Sequence, residues 1–540
     1  MKRTSKIIVP CFCFFIFFNT NIFSQGRNYY VATAGNDNNN GLTPATAWRS
    51  IDKINAVDFK PGDSVFFEGS AVFNGAIKLT SDDNGTAGKP IVFTSYGKDR
   101  ATINAGDDEG LLAVNTSFVK LVSLNFEGLG VNTNKGSGIH FFANDSLNMP
   151  SHIEIDGCDV KGFNTYGIVF GANDDIAYKG YKHVRITHCN ASGNGQGGIA
   201  SYGSYKGFQH KDFYIAYCKA FENRGILTKT ENHSGNGIVM AMIDGLVIEH
   251  CEAYENGADN RCNAGGPVGI WVWMCKNATI QYCVSHDNHT GTVKDGGGFD
   301  IDGGASNCVL QYNYSYNNEG AGYLLAEYGA LFLFTNNIIR FNISVNDGRK
   351  NNYGAVSIWG ADSAYSVTNS YVYNNTIYLD DKNLVGGIPA AVTFIGPNFK
   401  NVIIANNIFV TKGNVNFINS DLTINTAAAY FLHNNYYSYS NQYVFKYGPT
   451  TFFSLQEWLE NNADQERTNS EAVHLNIDPL FNNISFNSTD KKGFMLQKNS
   501  LLRKKTFLLP DYFAITGTVK DIGNNTLPLD KKVFPGAFIK

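Results

Sequence analysis

The chain has 540 residues, a formal net charge of -4, 17% charged residues and 14% aromatics. That near-balance excludes the basic surplus of a nucleic-acid binder. The 55 glycines and 29 tyrosines, with asparagine abundant throughout, point to β structure with frequent tight turns.

Residues 1–25 read as a signal peptide. Lys2, Arg3 and Lys6 precede an apolar run over 7–18 that is too short for a membrane span. The mature chain is expected to start near Gln25 or Gly26. Cys11 and Cys13 lie inside the apolar run, so no lipid anchor is expected. The product is expected to be exported, periplasmic or secreted, monomeric and without a membrane span.

Residues 26–117 read as an N-terminal cap and the first coils. A first strand leads into an Asn/Gly loop. Thr46 is expected to cap a short helix over 48–57, with Ile51 and Ile54 on one face. Pro61-Gly62 turns into a strand over 64–67. Such a helix would cover the open edge that a solenoid exposes at its end.

Residues 118–414 repeat. The markers Asn125, Cys158, Cys189, Cys218, Cys251, Cys283, Asn313, Asn342, Asn374 and Asn406 recur every 29 to 33 residues, each after a β-type stretch. A near-constant period of short strands and Gly/Asn turns is the signature of a parallel β-helix, one coil per repeat. The cysteines read as a buried ladder of small side chains, since CxxC-type spacing for a metal is lacking. Cys262, Cys275 and Cys308 fall off the ladder and leave a disulfide open. Residues 415–540 read as final coils and a C-terminal cap, with a capping box at Ser454 and Glu457.

A second set of markers is Gly138, Gly167, Gly198, Gly237, Gly269, Gly298, Gly322 and Gly354, each opening another stacked strand. With the next residue inward, strand alternation places Trp271 and Trp273 outward on one coil. Asp300 and Asp302 take the same positions on the next. Ordinary coils run 9 residues from ladder residue to glycine marker. The steps from 218 to 237, 251 to 269 and 283 to 298 take 19, 18 and 15. Three consecutive coils therefore carry insertions on one edge, as expected of walls around a binding cleft.

Asp300 and Asp302 should lie about 6.6 Å apart between Cα atoms on one strand face. Mutual repulsion raises one pKa, so the pair suits acid–base work on a glycosidic bond. The same pair is a candidate Ca2+ site. Trp271 and Trp273 offer apolar platforms for sugar rings. The inserted loops add Lys229, His233, Arg261, His286, His289, Lys294 and Asp295. Elimination from a uronic acid needs a cation on the carboxylate and a base near the acidic proton.

The segments 29–37, 41–48 and 61–65, the coil pattern, and the closing 477–481 and 521–523 resemble the pectate-lyase-like superfamily of secreted right-handed parallel β-helix proteins. The leader and Asn-rich composition resemble exported Bacteroidetes proteins. The resemblance implies an all-β solenoid and a carbohydrate-active enzyme acting on algal or plant glycans. Its members include lyases, hydrolases and epimerases; the polygalacturonase-type Asn-Thr-Asp and Gly-His-Gly motifs are missing. The leading expectation is a lyase or dehydratase on a uronate-containing poly- or oligosaccharide. His289 or Lys294 would be the base, and Asp295, Asp300 and Asp302 would assist. Arg261 would hold the carboxylate, beside Trp271, Trp273, His233 and His286. The alternatives are a glycoside hydrolase using Asp300 and Asp302, with Asp295 or Glu319 in reserve, and a non-catalytic glycan-binding solenoid.

Overall fold

The computed structural model describes residues 26–329, 332–361, 364–484, 490–513 and 518–540. The expected leader lies outside them. The backbone winds into three parallel sheets, here A, B and C, of 14, 13 and 14 strands, each coil giving one strand to each sheet in turn. Sheet A runs from Asn28–Val31 to Ala429–Leu432, and sheet B from Val72–Asn74 to Asn435–Ser438. Sheet C starts at Ile77–Leu79 and ends with an antiparallel strand, Thr450–Phe452. Among the described residues no helix is long and apolar enough to cross a membrane.

The corners explain the composition. Sheet A meets sheet B through one left-handed residue per coil, among them His188, Tyr217, His250, Tyr282, Tyr312, Asn374 and Asn406, with φ between 52° and 61°. That conformation costs a non-glycine residue about 1–2 kcal/mol and is cheapest for Asn. The next residue turns inward to form the ladder. Cys158, Cys189, Cys218, Cys251 and Cys283 are buried and point Sγ at backbone carbonyls. Asn313, Asn342, Asn375, Asn407 and Asn434 follow, each amide oxygen taking the backbone N–H of the preceding ladder residue at 2.8–3.0 Å.

The register corrects three markers. Leu124, Asn375 and Asn407 occupy the ladder, not Asn125, Asn374 and Asn406. In the pairs Asn374-Asn375 and Asn406-Asn407 one residue makes the corner and the other enters the core, and both uses favour Asn. Likewise Ala355, not Gly354, lies level with Gly322. All eight described cysteines are free. Cys275 and Cys308 form a second short ladder that continues into Asn337, which closes the disulfide question for these three.

A further ladder sits at the far end of sheet B. Asn194, Asn223, Asn256, Asn288 and Asn318 are fully buried and bond in sequence through side-chain amides. It ends on the carboxyl of Asp347, which accepts from the Asn318 side chain at 2.8 Å. Each insertion leaves its coil just after one of these asparagines, so the ladder anchors the base of every loop over the cleft.

The ends differ in detail from expectation. The first helix spans Ile51–Asn55 and is capped by Ser50, with Ile51 and Ile54 buried as expected. Thr46 belongs instead to a 3-10 turn, Pro44–Thr46, because Trp48 is drawn into the core and stacks on Tyr29 at 4.8 Å. At the other end Ser454 caps Leu455–Asn461, and Trp458 stacks on Phe445 at 5.0 Å to close the last coil. The tail then doubles back along the outside of sheet B. Lys520 N–H donates to the Tyr312 hydroxyl at 2.9 Å, and the Tyr373 hydroxyl donates to the Phe513 carbonyl at 2.9 Å. This strap covers Phe341, Ile343 and Tyr373, so the C-terminal region is more than a cap.

Burial pushes the Asp347 carboxyl up to about 6. The native state then keeps its proton where the unfolded chain loses it. The stabilisation is complete below the ordinary carboxylate range and is lost as pH rises toward 6. Asp347→Asn, which continues the amide ladder, should raise stability at pH 7 by roughly 2–3 kcal/mol and leave no difference near pH 4. Thermal melts from pH 4 to 8 check this; equal gains at both ends of the range would count against it.

Candidate active site

The stretch 294–305 supplies one strand of sheet C, Gly297–Asp302. Its register against Val268–Trp273 pairs Trp271 with Asp300 and Trp273 with Asp302. Phe299 and Ile301 are fully buried in the solenoid interior. Asp300, Asp302 and both tryptophans face the opposite way, into a cavity of about 830 Å³. Gly298 makes this possible: a Cβ there would lie 2.4 Å from Ser315 Oγ and 3.0 Å from the Gly322 carbonyl.

The insertions wall the cavity. Asn232, His233 and Asn236 come from the first, Ala264, Gly265 and Gly266 from the second, and Asp295 from the third. Asp295 is fixed on both oxygens. The Tyr353 hydroxyl donates to Oδ1 at 2.9 Å, and the Gly266 N–H donates to Oδ2 at 2.8 Å. Asp302 Oδ1 accepts the Gly303 N–H at 2.8 Å. Asp300 is different. It is 3% exposed, and its Oδ1 is buried with no hydrogen-bond partner. All three line the cavity; Asp295 and Asp302 are partly exposed in it and Asp300 is buried.

Electrostatics follow from burial. Desolvation, then the charges of Asp302 and Asp295, push the Asp300 carboxyl well above its usual range. Desolvation also raises Asp302 strongly, aided by Asp295 and the buried Glu327. Asp295 is raised by desolvation against the pull of its two donors. The cluster therefore holds protons in a range where ordinary carboxyls have lost them.

Trp271 Nε1, which can only donate, bonds Asn236 Oδ1 at 3.1 Å. That fixes the Asn236 amide with Nδ2 toward His233 Nδ1, 3.2 Å away. His233 Nδ1 then accepts, and its proton sits on Nε2. Burial lowers this imidazole to about 4, so His233 is neutral.

The other expected site residues are placed elsewhere or otherwise engaged. His286 lies on sheet B, stacked between Tyr254 and Tyr316 and bonded to Asp287. The insertion begins only after Asn288, so His286 belongs to the coil. His289 pairs with Glu319 at 3.2 Å, and Lys350 occupies the other Glu319 oxygen at 3.3 Å. Neither His289 nor Glu319 lines the cavity. Arg261 turns back to the Asn260 carbonyl at 2.9 Å. Lys229 is half-buried outside the lining, its pKa lowered by burial. Lys294 sits over the Trp359 ring, 5.2 Å from its centroid, at the cavity rim. No Lys or Arg is among the described residues that line the cavity.

Among the described residues no group of three or more His, Cys, Asp or Glu is arranged to hold a metal ion.

Several lining residues were not singled out from sequence: Glu109, His140, Tyr202, Asn236, Tyr328 and Trp359. His140 was within reach. It follows the Gly138-Ile139 marker and so obeys the same rule that turned Trp271 outward.

A family model describing a right handed beta helix region matches residues 137–377, and the solenoid is a right-handed parallel β-helix. The lacto-N-biosidase of Bifidobacterium longum subsp. longum is 25% identical over 454 residues, covering 66% of this chain and 28% of that protein. The chain thus spans little more than a quarter of that relative's length. The crystal structures of the GH136 lacto-N-biosidase from Eubacterium ramulus superpose with a TM-score of 0.53 at 19% identity, over 69% of this chain and 67% of that one. A rhamnogalacturonan lyase aligns with a TM-score of 0.41 at 17% identity, over 67% and 84%. The family match and the likeness to the two GH136 structures show the fold.

Removing the charge of the buried carboxyl should stabilise the protein. Native Asp300 binds its proton more tightly than the unfolded chain, so its stabilising contribution is lost as pH rises above the ordinary carboxylate range. Asp300→Asn should therefore melt higher than the parent at pH 8, with the gap closing near pH 4. A gap independent of pH, or of opposite sign, would contradict the buried, proton-holding carboxyl.

Proposed function

We propose that this chain hydrolyses glycosidic bonds, with Asp295 and Asp302 as the two carboxyls that meet the substrate. The observation that carries the reading is the convergence of three proton-holding carboxyls, from eight residues of chain, on a tryptophan-lined cavity with no Lys or Arg among its described lining residues. Hydrolysis of an acetal needs one carboxylic acid to protonate the leaving oxygen. A second carboxylate attacks the anomeric carbon or activates water for it. The buried Asp300 shares the local charge and keeps one proton within the cluster. Trp271 and Trp273 give apolar faces for the sugar rings.

The leading sequence expectation, elimination from a uronate, receives less support. A uronate carboxylate would enter a cavity lined by Glu109, Asp295, Asp300 and Asp302, with Lys294 at its rim and no Lys or Arg among the described lining residues. His289 and Arg261, given the base and carboxylate-holding roles, point into other contacts. The similarity to a lacto-N-biosidase favours neutral, lacto-N-biose-containing glycans over acidic ones.

Incubation with a glycan panel that includes lacto-N-biose-terminated oligosaccharides and uronate polymers should release new reducing ends without unsaturated-uronate absorbance. Asp295→Asn and Asp302→Asn should each lower kcat by about 10²–10⁴-fold. Unsaturated products would establish elimination instead. Glycan binding without turnover would favour the non-catalytic solenoid, and full activity in both variants would move the site elsewhere.

A further inference from the structure

The acids occupy one part of a longer cavity. One line of outward positions on sheet C runs His140, Val169, Ala200, Val239, Trp271 and Asp300, each paired with the next across adjacent coils. Five steps separate His140 from Asp300, about 24 Å at about 4.8 Å per strand. The same cavity is lined at both ends of this line. Between the ends, Val169, Ala200 and Val239 are small, apolar and buried in one cluster with Trp271. Beyond the acids, on the side of higher residue numbers, the described lining residues are Tyr328 and Trp359. Among the described residues the cavity therefore has a long arm and a short one.

The end of the long arm is polar and organised. His140 Nδ1 lies 3.2 Å from Glu109 Oε1, and His140 Nε2 lies 3.0 Å from the Tyr202 hydroxyl. The other Glu109 oxygen accepts the Ser137 N–H at 2.7 Å. Whether it donates to His140 Nε2 or accepts from it, the Tyr202 oxygen keeps a lone pair that can accept from a ligand hydroxyl. Ser137 and Thr165 bring two more hydroxyls to the same wall. Tyr202 stands three strands from Asp302 on the adjacent outward line, about 14 Å at about 4.8 Å per strand.

We propose that Glu109, His140 and Tyr202 form a distal subsite that holds the far end of a linear, neutral oligosaccharide of several sugar units lying along the solenoid axis. The proposal rests on the glycan reading of the cavity. It sets preference by chain length: a substrate reaching only Trp271 and Trp273 leaves the distal group unused, and a longer one engages it.

The test uses the full chain, a chromogenic disaccharide glycoside, and lacto-N-biose-terminated oligosaccharides of increasing length. Tyr202→Phe removes only the hydroxyl, and His140→Ala removes the link behind it. Each should lower the ratio of kcat/KM on long over short substrates by about tenfold, the loss appearing in KM. Binding of the same oligosaccharides, by calorimetry in an Asp302→Asn background, should weaken on adding either change, and more so for longer chains. Loss of binding without any wild-type turnover would sink the hydrolase reading and leave the subsite standing. Equal proportional losses on long and short glycans, or no loss in either measurement, would overturn the subsite.

Discussion

Register between coils is the constraint on which this molecule depends. Each strand bonds to its neighbours one coil before and after, so a residue's place in its own coil fixes its place in a line running the length of the solenoid. Lines of inward residues make the core, and lines of outward residues make the surface. A slip of one residue would exchange the two. The interior amide ladders oppose such slips. Each Asn bonds two backbone groups of the preceding coil, as Asn313 does in accepting the Cys283 N–H and donating to the Ile280 carbonyl, and a shifted coil would leave those buried groups unpaired.

The candidate site is built by the same rule. Trp271 lies level with Asp300 and Trp273 with Asp302 because two successive coils share a register. The ladder from Asn194 to Asp347 then fixes where the three insertions leave the coils, and the insertions wall the cavity around the carboxyls. Burial alone raises those carboxyls, and crowding raises them further. Holding protons there costs stability, which the regular packing of the solenoid offsets. The C-terminal strap completes the arrangement by covering sheet B, leaving the cleft on sheet C open.

Much of this was legible in the chain. A period near 31 residues, the Gly-Ile markers and the unequal loop lengths pointed to the solenoid, the cleft edge and the outward facing of Asp300 and Asp302. The sequence was less informative where one residue type serves two purposes. Asn374 and Asn375 both suit a left-handed corner and a buried ladder, and only the hydrogen bonds between coils choose between them. The histidines show the same limit. His286 and His289 stand near the acids in sequence, yet sheet B and the Glu319 pair draw them away.

The sequence by itself determined the parallel β-helix and the coil that carries the carboxyl cluster, because strand alternation and coil period are local properties of the chain. The tertiary structure decided which polar groups share the cavity with those carboxyls. His140 lies 160 residues before Asp300, yet they share one line five coils apart. Arg261 is far closer in sequence, and its guanidinium turns into its own loop. Loop side chains take whichever hydrogen bond, ring or carboxylate the fold brings to them, and no period in the sequence records that choice.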